Sequence, residues 1–292
     1  MIKKRRSDTK ISFNDLAKYS NLPLKLISNN FLKIRKKSKS EVHREYELEK
    51  WNSIYEKAKK LKHPTLEKIE SLYQDLDEVT PYFYDESFSL SKNSNLNKYH
   101  LELYHHFLKP FIPEASSIIE LGAGYGSKII GLSNFKEVKK KPLFGFELSA
   151  NGCKTMDLLS KFLDLNLTTG YCDLENMNID SNMVPEGSII FTSYSLHYTS
   201  NLSIKLIDRI NRLKPKVVIH FEPIYELFSE NTIHNLMCRK YFEANDYTKN
   251  ILSVLNKAEE SKKINLKVIK PNILGSNPLL PISVITWEPN NF

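Results

Sequence analysis

Apolar side chains recur at helical spacing through the first part of the chain. They form stripes over residues 42–61, 66–76 and 101–108, and the last stripe ends at Pro110. Spacings of three and four residues place such side chains on one face of a helix, and proline interrupts helices. An aromatic and Ser/Asn-rich stretch, residues 82–97, separates the second stripe from the third. The pattern predicts a helical N-terminal region.

After residue 113 the pattern changes to short β-branched or aromatic runs that alternate with helical stretches. The runs cover residues 117–121, 143–147, 167–171, 188–192 and 216–221, and helical stretches at 151–163 and 203–213 lie between them. This alternation predicts a parallel sheet with helices on both faces. Two last runs, 264–270 and 282–287, are joined without a helix, which predicts an antiparallel pair.

The net charge of +8 is concentrated near the N-terminus. Basic side chains greatly outnumber Asp8 and Asp15 in residues 1–40, whereas the rest of the chain is close to neutral. A block of like charge is usually a solvated segment or an interaction tail. We therefore predict three parts, namely a basic arm (1–38), a helical cap (39–112) and an α/β domain (113–292).

Three sequence features bear on localisation. The chain has no run of about 18 or more apolar residues that would span a membrane, and no apolar run of a signal peptide follows the basic start. The chain has three cysteines, Cys153, Cys172 and Cys238. An odd number of cysteines without metal-ligand spacing is typical of free thiols in a reducing compartment. These features predict a cytoplasmic protein with no bound metal and no membrane partner.

A glycine-rich segment follows the first predicted strand and precedes a predicted helix, with the sequence Glu120-Leu121-Gly122-Ala123-Gly124-Tyr125-Gly126. Glycines at such a junction let the backbone turn tightly and approach a ligand, while the helix N-terminus offers free N–H groups. The dinucleotide fingerprint requires Gly or Ala three residues after the second glycine, and Ser127 stands there instead. The spacing is therefore Glu-x-Gly-x-Gly-x-Gly, which argues against a nicotinamide site.

This segment resembles the first motif of the class I S-adenosylmethionine (SAM) dependent methyltransferases, and the resemblance extends over residues 113–287. It implies a Rossmann-like, mostly parallel seven-stranded sheet with an antiparallel last strand, to which this chain adds a helical N-terminal extension. It also implies SAM as the cofactor. In that family an acidic residue after the second strand holds the ribose, and another after the third strand pairs with adenine. The residues implied here are Glu120, Gly122, Ala123, Gly124, Gly126, Glu147 and Asp173, with Glu175 as an alternative to Asp173.

The family's substrate-facing segment follows the fourth strand and corresponds to residues 192–198. Because methyl transfer is an in-line displacement, the protein mainly aligns the acceptor and removes its proton. His197, His220 and Glu222 are the candidate bases, and Tyr194 is a candidate positioning hydroxyl. His220 stands within a predicted strand, where a hydrogen-bonded core histidine is the competing interpretation.

The predicted function is transfer of a methyl group from SAM to oxygen or nitrogen of a small-molecule or peptide acceptor. The segment after the fourth strand lacks the Asn/Asp-Pro-Pro-Tyr/Phe sequence of enzymes that methylate exocyclic amines of bases. One alternative is an RNA- or ribosome-associated methyltransferase whose basic arm binds phosphates. A second is a non-catalytic SAM- or DNA-binding module, in which residues 13–36 form a helix-turn-helix. Salt dependence of polynucleotide binding would separate these alternatives from the first prediction.

Overall fold

A computed structural model of the chain describes residues 8–19, 44–176, 178–179, 181–199 and 201–290. Within these residues, eleven strands form one sheet in the order β1-β3-β2-β10-β11-β9-β8-β4-β5-β6-β7. The strands are β1 (Thr9–Ile11), β2 (Val79–Tyr84), β3 (Ser87–Lys92), β4 (Ile118–Leu121), β5 (Leu143–Glu147), β6 (Leu167–Asp173), β7 (Asn178–Ile179), β8 (Ile189–Ser193), β9 (Val217–Glu222), β10 (Ile264–Gly275) and β11 (Ile282–Pro289).

Helices cover both faces of this sheet. They are α1 (Leu16–Tyr19), a π-helical segment (Arg44–Trp51) that continues into α2 (Asn52–Lys59), α3 (Leu66–Glu70), α4 (Asn93–Leu108), α5 (Ser127–Leu132), α6 (Lys136–Lys139), α7 (Ala150–Phe162), α8 (Ile204–Arg212), α9 (Ile233–Asn245) and α10 (Ile251–Glu260). Short 3-10 turns lie at Phe13–Asp15, Ile112–Glu114, Ser181–Met183, Leu196–Tyr198 and Tyr225–Leu227. In the described part of the chain, each helix is too short or too polar to cross a bilayer.

The centre of the sheet agrees with the sequence prediction. Strands β6, β5, β4, β8 and β9 pair in parallel, and β11 runs antiparallel to both β9 and β10. All residues of β4 and β9 are buried, as expected of strands covered by helices on both faces. Apolar side chains of α4, α5 and α7 fill the core on one face, and those of α8 and α10 fill it on the other.

The prediction of seven strands is too low, because β1, β2, β3 and β7 extend the sheet at its two edges. The prediction that residues 39–112 are helical is wrong for residues 79–92, which form the β2–β3 hairpin. Its turn residues, Asp85 and Glu86, have φ of 48° and 59°. Two positive φ values match the two-residue turns of hairpins, which usually contain Gly or Asn. Because Asp85 and Glu86 stand there instead, the sequence contains little indication of this turn.

Part of the predicted basic arm is built into the fold. Strand β1 pairs with β3, and Leu16 is buried against Phe83 and Phe88. The carboxylate of Asp8 accepts hydrogen bonds from three hydroxyl groups, those of Tyr82 (2.9 Å), Tyr99 (2.6 Å) and Ser91 (2.6 Å). The basic cluster at residues 33–39, and most of the predicted helix-turn-helix, lie outside the described residues.

We expect Asp8→Ala to lower the free energy of unfolding by about 2 kcal/mol, because three partly buried hydroxyls lose one charged acceptor. Urea denaturation measures this change. Asp15→Ala is the matched control, since the hydrogen bonds of the Asp15 carboxylate within the described residues are to exposed neighbours, Ser12 and Lys18. If Asp8→Ala costs no more than Asp15→Ala, the three hydroxyl contacts of Asp8 do not stabilise the fold beyond an exposed carboxylate.

Candidate functional site

The glycine loop joins β4 to α5 and requires glycine at three positions. Gly122, Gly124 and Gly126 have φ of 73°, 59° and 84°, in the left-handed region that glycine tolerates best. The loop is held against β5, since the N–H groups of Gly122 and Ala123 both donate to the carbonyl of Phe146 at 2.8 and 3.0 Å. The turn predicted between strand and helix is therefore present.

Glu120 lies beneath this loop rather than at its surface. It is 1% exposed, and its carboxylate accepts a hydrogen bond from the N–H of Ile129 in α5 at 3.0 Å. Burial raises the pKa of Glu120 to about 8, despite the opposing effects of Lys128 and the Ile129 hydrogen bond. The hydrogen bond between Ile129 and Glu120 joins α5 to β4 and so positions the loop.

Glu120 should make stability depend on pH. Its pKa is raised in the folded state from an ordinary value of 4.5, so its stabilising contribution is complete below that value and is lost as pH rises toward 8. Glu120→Gln keeps an acceptor for Ile129 and cannot ionise. We expect the variant to gain free energy of unfolding relative to the unmodified chain between about pH 5 and about pH 8.5. Urea denaturation across this range measures the difference, and a constant difference would contradict the expectation.

Glu147 ends β5 and lies against the glycine loop. Its carboxylate accepts hydrogen bonds from the N–H of Gly124 at 2.8 Å and from the N–H of Ser149 at 3.0 Å. The side chain is buried, and burial raises its pKa even though both hydrogen bonds oppose the shift. The structure thus brings two separately predicted features, the glycine loop and the acidic end of the second central strand, into direct contact.

Asp173 ends β6 at the same edge of the sheet. Its carboxylate accepts hydrogen bonds from the N–H groups of Glu175 (3.0 Å) and Asn176 (2.9 Å), and from the side-chain amide of Asn176. These bonds close the turn after the strand. Asp173 is buried and Glu175 is half-buried. Asp173 therefore holds this turn in place. Like Glu147 at the end of the neighbouring strand β5, it is an acidic residue at the carboxyl edge of the sheet.

A second polar cluster is built around Glu222, at the end of β9. Its carboxylate accepts hydrogen bonds from the N–H groups of Ser195 (3.0 Å) and Leu196 (3.1 Å) and from the Ser195 hydroxyl (3.2 Å). It also pairs with Nδ1 of His197 at 3.2 Å. Burial alone would raise the pKa of Glu222, but His197 and the two backbone donors hold it below its usual value. Glu222 is therefore a buried, ionised hydrogen-bond acceptor.

The pairing fixes the orientation and tautomer of His197. An ionised carboxylate only accepts, so Nδ1 of His197 carries a proton, and in the neutral form of the ring Nε2 carries a lone pair. Nε2 is buried and has no hydrogen-bond partner within the described residues. The ring packs against Tyr198 and Tyr247, with centroids 4.0 and 4.8 Å away. An oriented imidazole with a bare nitrogen is suited to general-base chemistry.

His220 and Tyr194 occupy different surroundings. The indole N–H of Trp287 donates to Nε2 of His220 at 2.9 Å, so Nδ1 donates to the Thr192 hydroxyl at 3.0 Å. Burial lowers the pKa of His220 to about 4, and with both nitrogens engaged inside the sheet it offers no site for a proton. Tyr194 has a positive φ of 51° and donates its hydroxyl to the carbonyl of Leu280 at 3.3 Å.

Two residues that the sequence did not suggest lie beside the site, one over the glycine loop and one next to Glu147. The indole of Trp51 approaches Gly124 so closely that a Cβ on that glycine would lie 3.1 Å from the ring. Glu47 bonds to Ser149 and Asn151, next to Glu147. Glu47 and Trp51 are four residues apart, which places them on one helical face, but nothing in the sequence indicates which surface that face covers.

No protein-family model matches this chain, and no curated protein matches it. Solved structures do resemble it. Magnesium protoporphyrin IX methyltransferase from Synechocystis, with S-adenosylhomocysteine (SAH) bound, is 10% identical over 85% of this chain and 98% of that chain, with a TM-score of 0.52. Geranyl diphosphate C-methyltransferase from Streptomyces coelicolor is 11% identical over 64% of this chain and 76% of its own, with a TM-score of 0.45.

A SAM-dependent methyltransferase from Aquifex aeolicus is 14% identical over 66% of this chain and 92% of that chain, with a TM-score of 0.44. At such identities a likeness concerns the fold, and the first of the three spans most of both chains. The central strand order, with β11 antiparallel between β9 and β10, agrees with that likeness. The chain therefore has the fold of the class I SAM-dependent methyltransferases.

Proposed function

We propose that the protein transfers a methyl group from SAM to oxygen or nitrogen of a small-molecule or peptide acceptor. The observation that carries this proposal is a juxtaposition at the carboxyl edge of the sheet. The glycine loop and Glu147 lie at the ends of β4 and β5, and the His197–Glu222 pair lies at the ends of the neighbouring strands β8 and β9. Ligands of open α/β sheets bind at this edge.

The residues at this edge fit SAM chemically. Three positions of the loop lack a Cβ, and the Glu147 carboxylate can accept hydrogen bonds from two ribose hydroxyls. Glu147 keeps lone pairs for further donors, because a carboxylate offers about four acceptor positions and backbone N–H groups such as those of Gly124 and Ser149 do not fill them all. Residues 122–126, Glu147 and Asp173 would hold the cofactor, which supplies an activated methyl group when bound.

His197 is the proposed general base. Its bare Nε2 would take the proton that the acceptor loses, and the ionised Glu222 would stabilise the resulting imidazolium. The N–H groups of Ser195 and Leu196 keep Glu222 in place, so the pair needs little rearrangement during the reaction. The tyrosine rings around His197 favour an acceptor with an apolar or aromatic body.

The proposed cofactor site predicts the effect of Glu147→Ala. We expect this variant to bind SAM at least ten-fold more weakly, since losing a charged acceptor for two hydroxyls costs roughly 1.5 to 3 kcal/mol. Isothermal titration calorimetry measures the affinity. Glu186→Ala is the control, because Glu186 is exposed and precedes β8 at the opposite edge of the sheet. Unchanged affinity in Glu147→Ala would remove Glu147 from the site.

The proposed activity is tested by incubating the protein with SAM labelled in its methyl group and with cell lysate fractionated by size. We expect label in a small-molecule or peptide fraction, and none when the protein is omitted. Label confined to the RNA fraction would support the RNA-directed alternative and overturn the proposed acceptor class. Absence of transfer to every fraction would count against methyl transfer.

A further inference from the structure

Residues 44–59, comprising the π-helical segment and α2, form what we call the strap, which crosses the outer face of the glycine loop. The Trp51 indole covers the bare Cα of Gly124, and its ring centroid lies 5.7 Å from that of Tyr125 in the same loop. The ammonium group of Lys50 lies 5.1 Å from the Trp51 ring and 4.8 Å from the Tyr73 ring. Trp51 is thus packed against the loop at Gly124 and Tyr125, with the Lys50 ammonium group beside its ring.

The strap is also fastened beside Glu147. The Glu47 carboxylate accepts hydrogen bonds from the Ser149 hydroxyl and from the N–H of Asn151 (3.2 Å), and the Glu47 carbonyl accepts one from the Asn151 side chain (3.1 Å). The N–H of Ser149 donates in turn to Glu147. Residues 149–151 therefore make both the hydrogen bonds to the strap and the hydrogen bond that positions Glu147.

We propose that Trp51 is a cofactor-contacting residue and that the strap forms the outer wall of the cofactor site. The inference rests on the proposed function, in which SAM lies on the glycine loop beside Glu147. The Trp51 ring fills the space over Gly124, and the N–H of Gly124 donates to Glu147, so a ligand held by Glu147 beside the loop lies alongside the ring. A flat aromatic ring offers stacking to a purine base and apolar contact to the rest of the nucleoside.

Trp51→Leu is therefore expected to weaken binding of both SAM and SAH by about ten-fold, which lies within the range measured when aromatic rings that stack on bases are removed. Trp51→Phe keeps an aromatic ring and should retain most of the affinity. Tyr55→Leu is the matched control, since Tyr55 is an aromatic residue of the same strap whose described ring contact is with Lys59. Calorimetry measures the affinities of the unmodified chain and of the three variants for SAM and SAH, without an acceptor.

Fluorescence provides an independent readout, because the chain contains two tryptophans. Trp287 is fully buried in the sheet and bonded to His220, so its emission reports the integrity of the fold. The difference in emission between the unmodified chain and Trp51→Phe belongs to Trp51. We expect SAM to change this difference saturably, with the same affinity as in calorimetry.

These outcomes distinguish failure of the inference about Trp51 from failure of the proposed function on which it rests. If the unmodified chain binds SAM but Trp51→Leu binds it equally or more tightly, Trp51 is not a contact of the bound cofactor and the inference is overturned while the proposed function stands. If Trp51→Leu loses the Trp287 emission of the folded chain, Trp51→Phe and the fluorescence titration decide the question. If the unmodified chain binds neither SAM nor SAH, the proposed function fails and the inference fails with it.

Discussion

Replacing His197 with alanine is expected to lower turnover by about 100-fold or more, which is the usual contribution of a general base. The substitution removes the bare Nε2 and leaves the glycine loop and Glu147 untouched, so SAM affinity should stay within a few-fold of the original value. Transfer of labelled methyl groups to the acceptor fraction measures turnover, and calorimetry measures affinity.

His106→Ala is the control for this experiment, because His106 belongs to α4 and its described ring contact is with Phe107, away from Glu222. Turnover that persists in His197→Ala would mean that the acceptor loses its proton without help from His197. A variant that instead loses SAM affinity would assign His197 to cofactor binding.

Glu222→Ala is expected to lower the free energy of unfolding by about 3 kcal/mol or more. Glu222 is fully buried and accepts hydrogen bonds from two backbone N–H groups, a hydroxyl and His197. Removing the carboxylate leaves these donors buried without an acceptor, and each such loss is costly. Urea denaturation gives the change in the free energy of unfolding.

Glu230→Ala provides the comparison, since Glu230 is exposed in its ion pair with Arg239 and surface pairs contribute about 1 kcal/mol or less. If Glu222→Ala costs no more than Glu230→Ala, the buried network does not stabilise this edge of the sheet. In that case the fixed orientation assigned to His197 would lose its structural basis.

The sheet could be predicted because its central strands are short, mostly apolar runs of four to seven residues that alternate with helical stretches, a pattern typical of a parallel sheet covered by helices. Glu147 was assigned through the resemblance to the methyltransferases. Its contact with the glycine loop is explained by its place at the end of β5, which pairs in parallel with β4, so that both strands end at the edge where ligands bind.

The pairing of His197 with Glu222 could not be derived from the sequence, which suggested the two as separate candidate bases. They meet because β8 and β9 are adjacent parallel strands, with Ser193 opposite Phe221, so the residues after β8 reach the end of β9. The engagement of His220 by Trp287 has a similar origin in the neighbouring pair β9 and β11. Strand order decides these contacts, and local pattern does not reveal it.

The contacts of the strap could not be predicted from the sequence for a different reason. Glu47 meets Ser149 across about a hundred residues of chain, and helical periodicity indicates only that Trp51 has an apolar face to bury. Burial in a helical core and burial against the glycine loop satisfy that periodicity equally. The three-dimensional packing alone distinguishes them.

Calorimetric titration of SAM into the unmodified chain, without added metal, tests most directly whether the carboxyl edge of this sheet is a cofactor site. We expect saturable binding of one SAM per chain, binding of SAH at the same site, and at least ten-fold weaker binding in Glu147→Ala. Binding of a nicotinamide dinucleotide, with no heat from SAM or SAH, would contradict the proposed cofactor and the methyl transfer that depends on it.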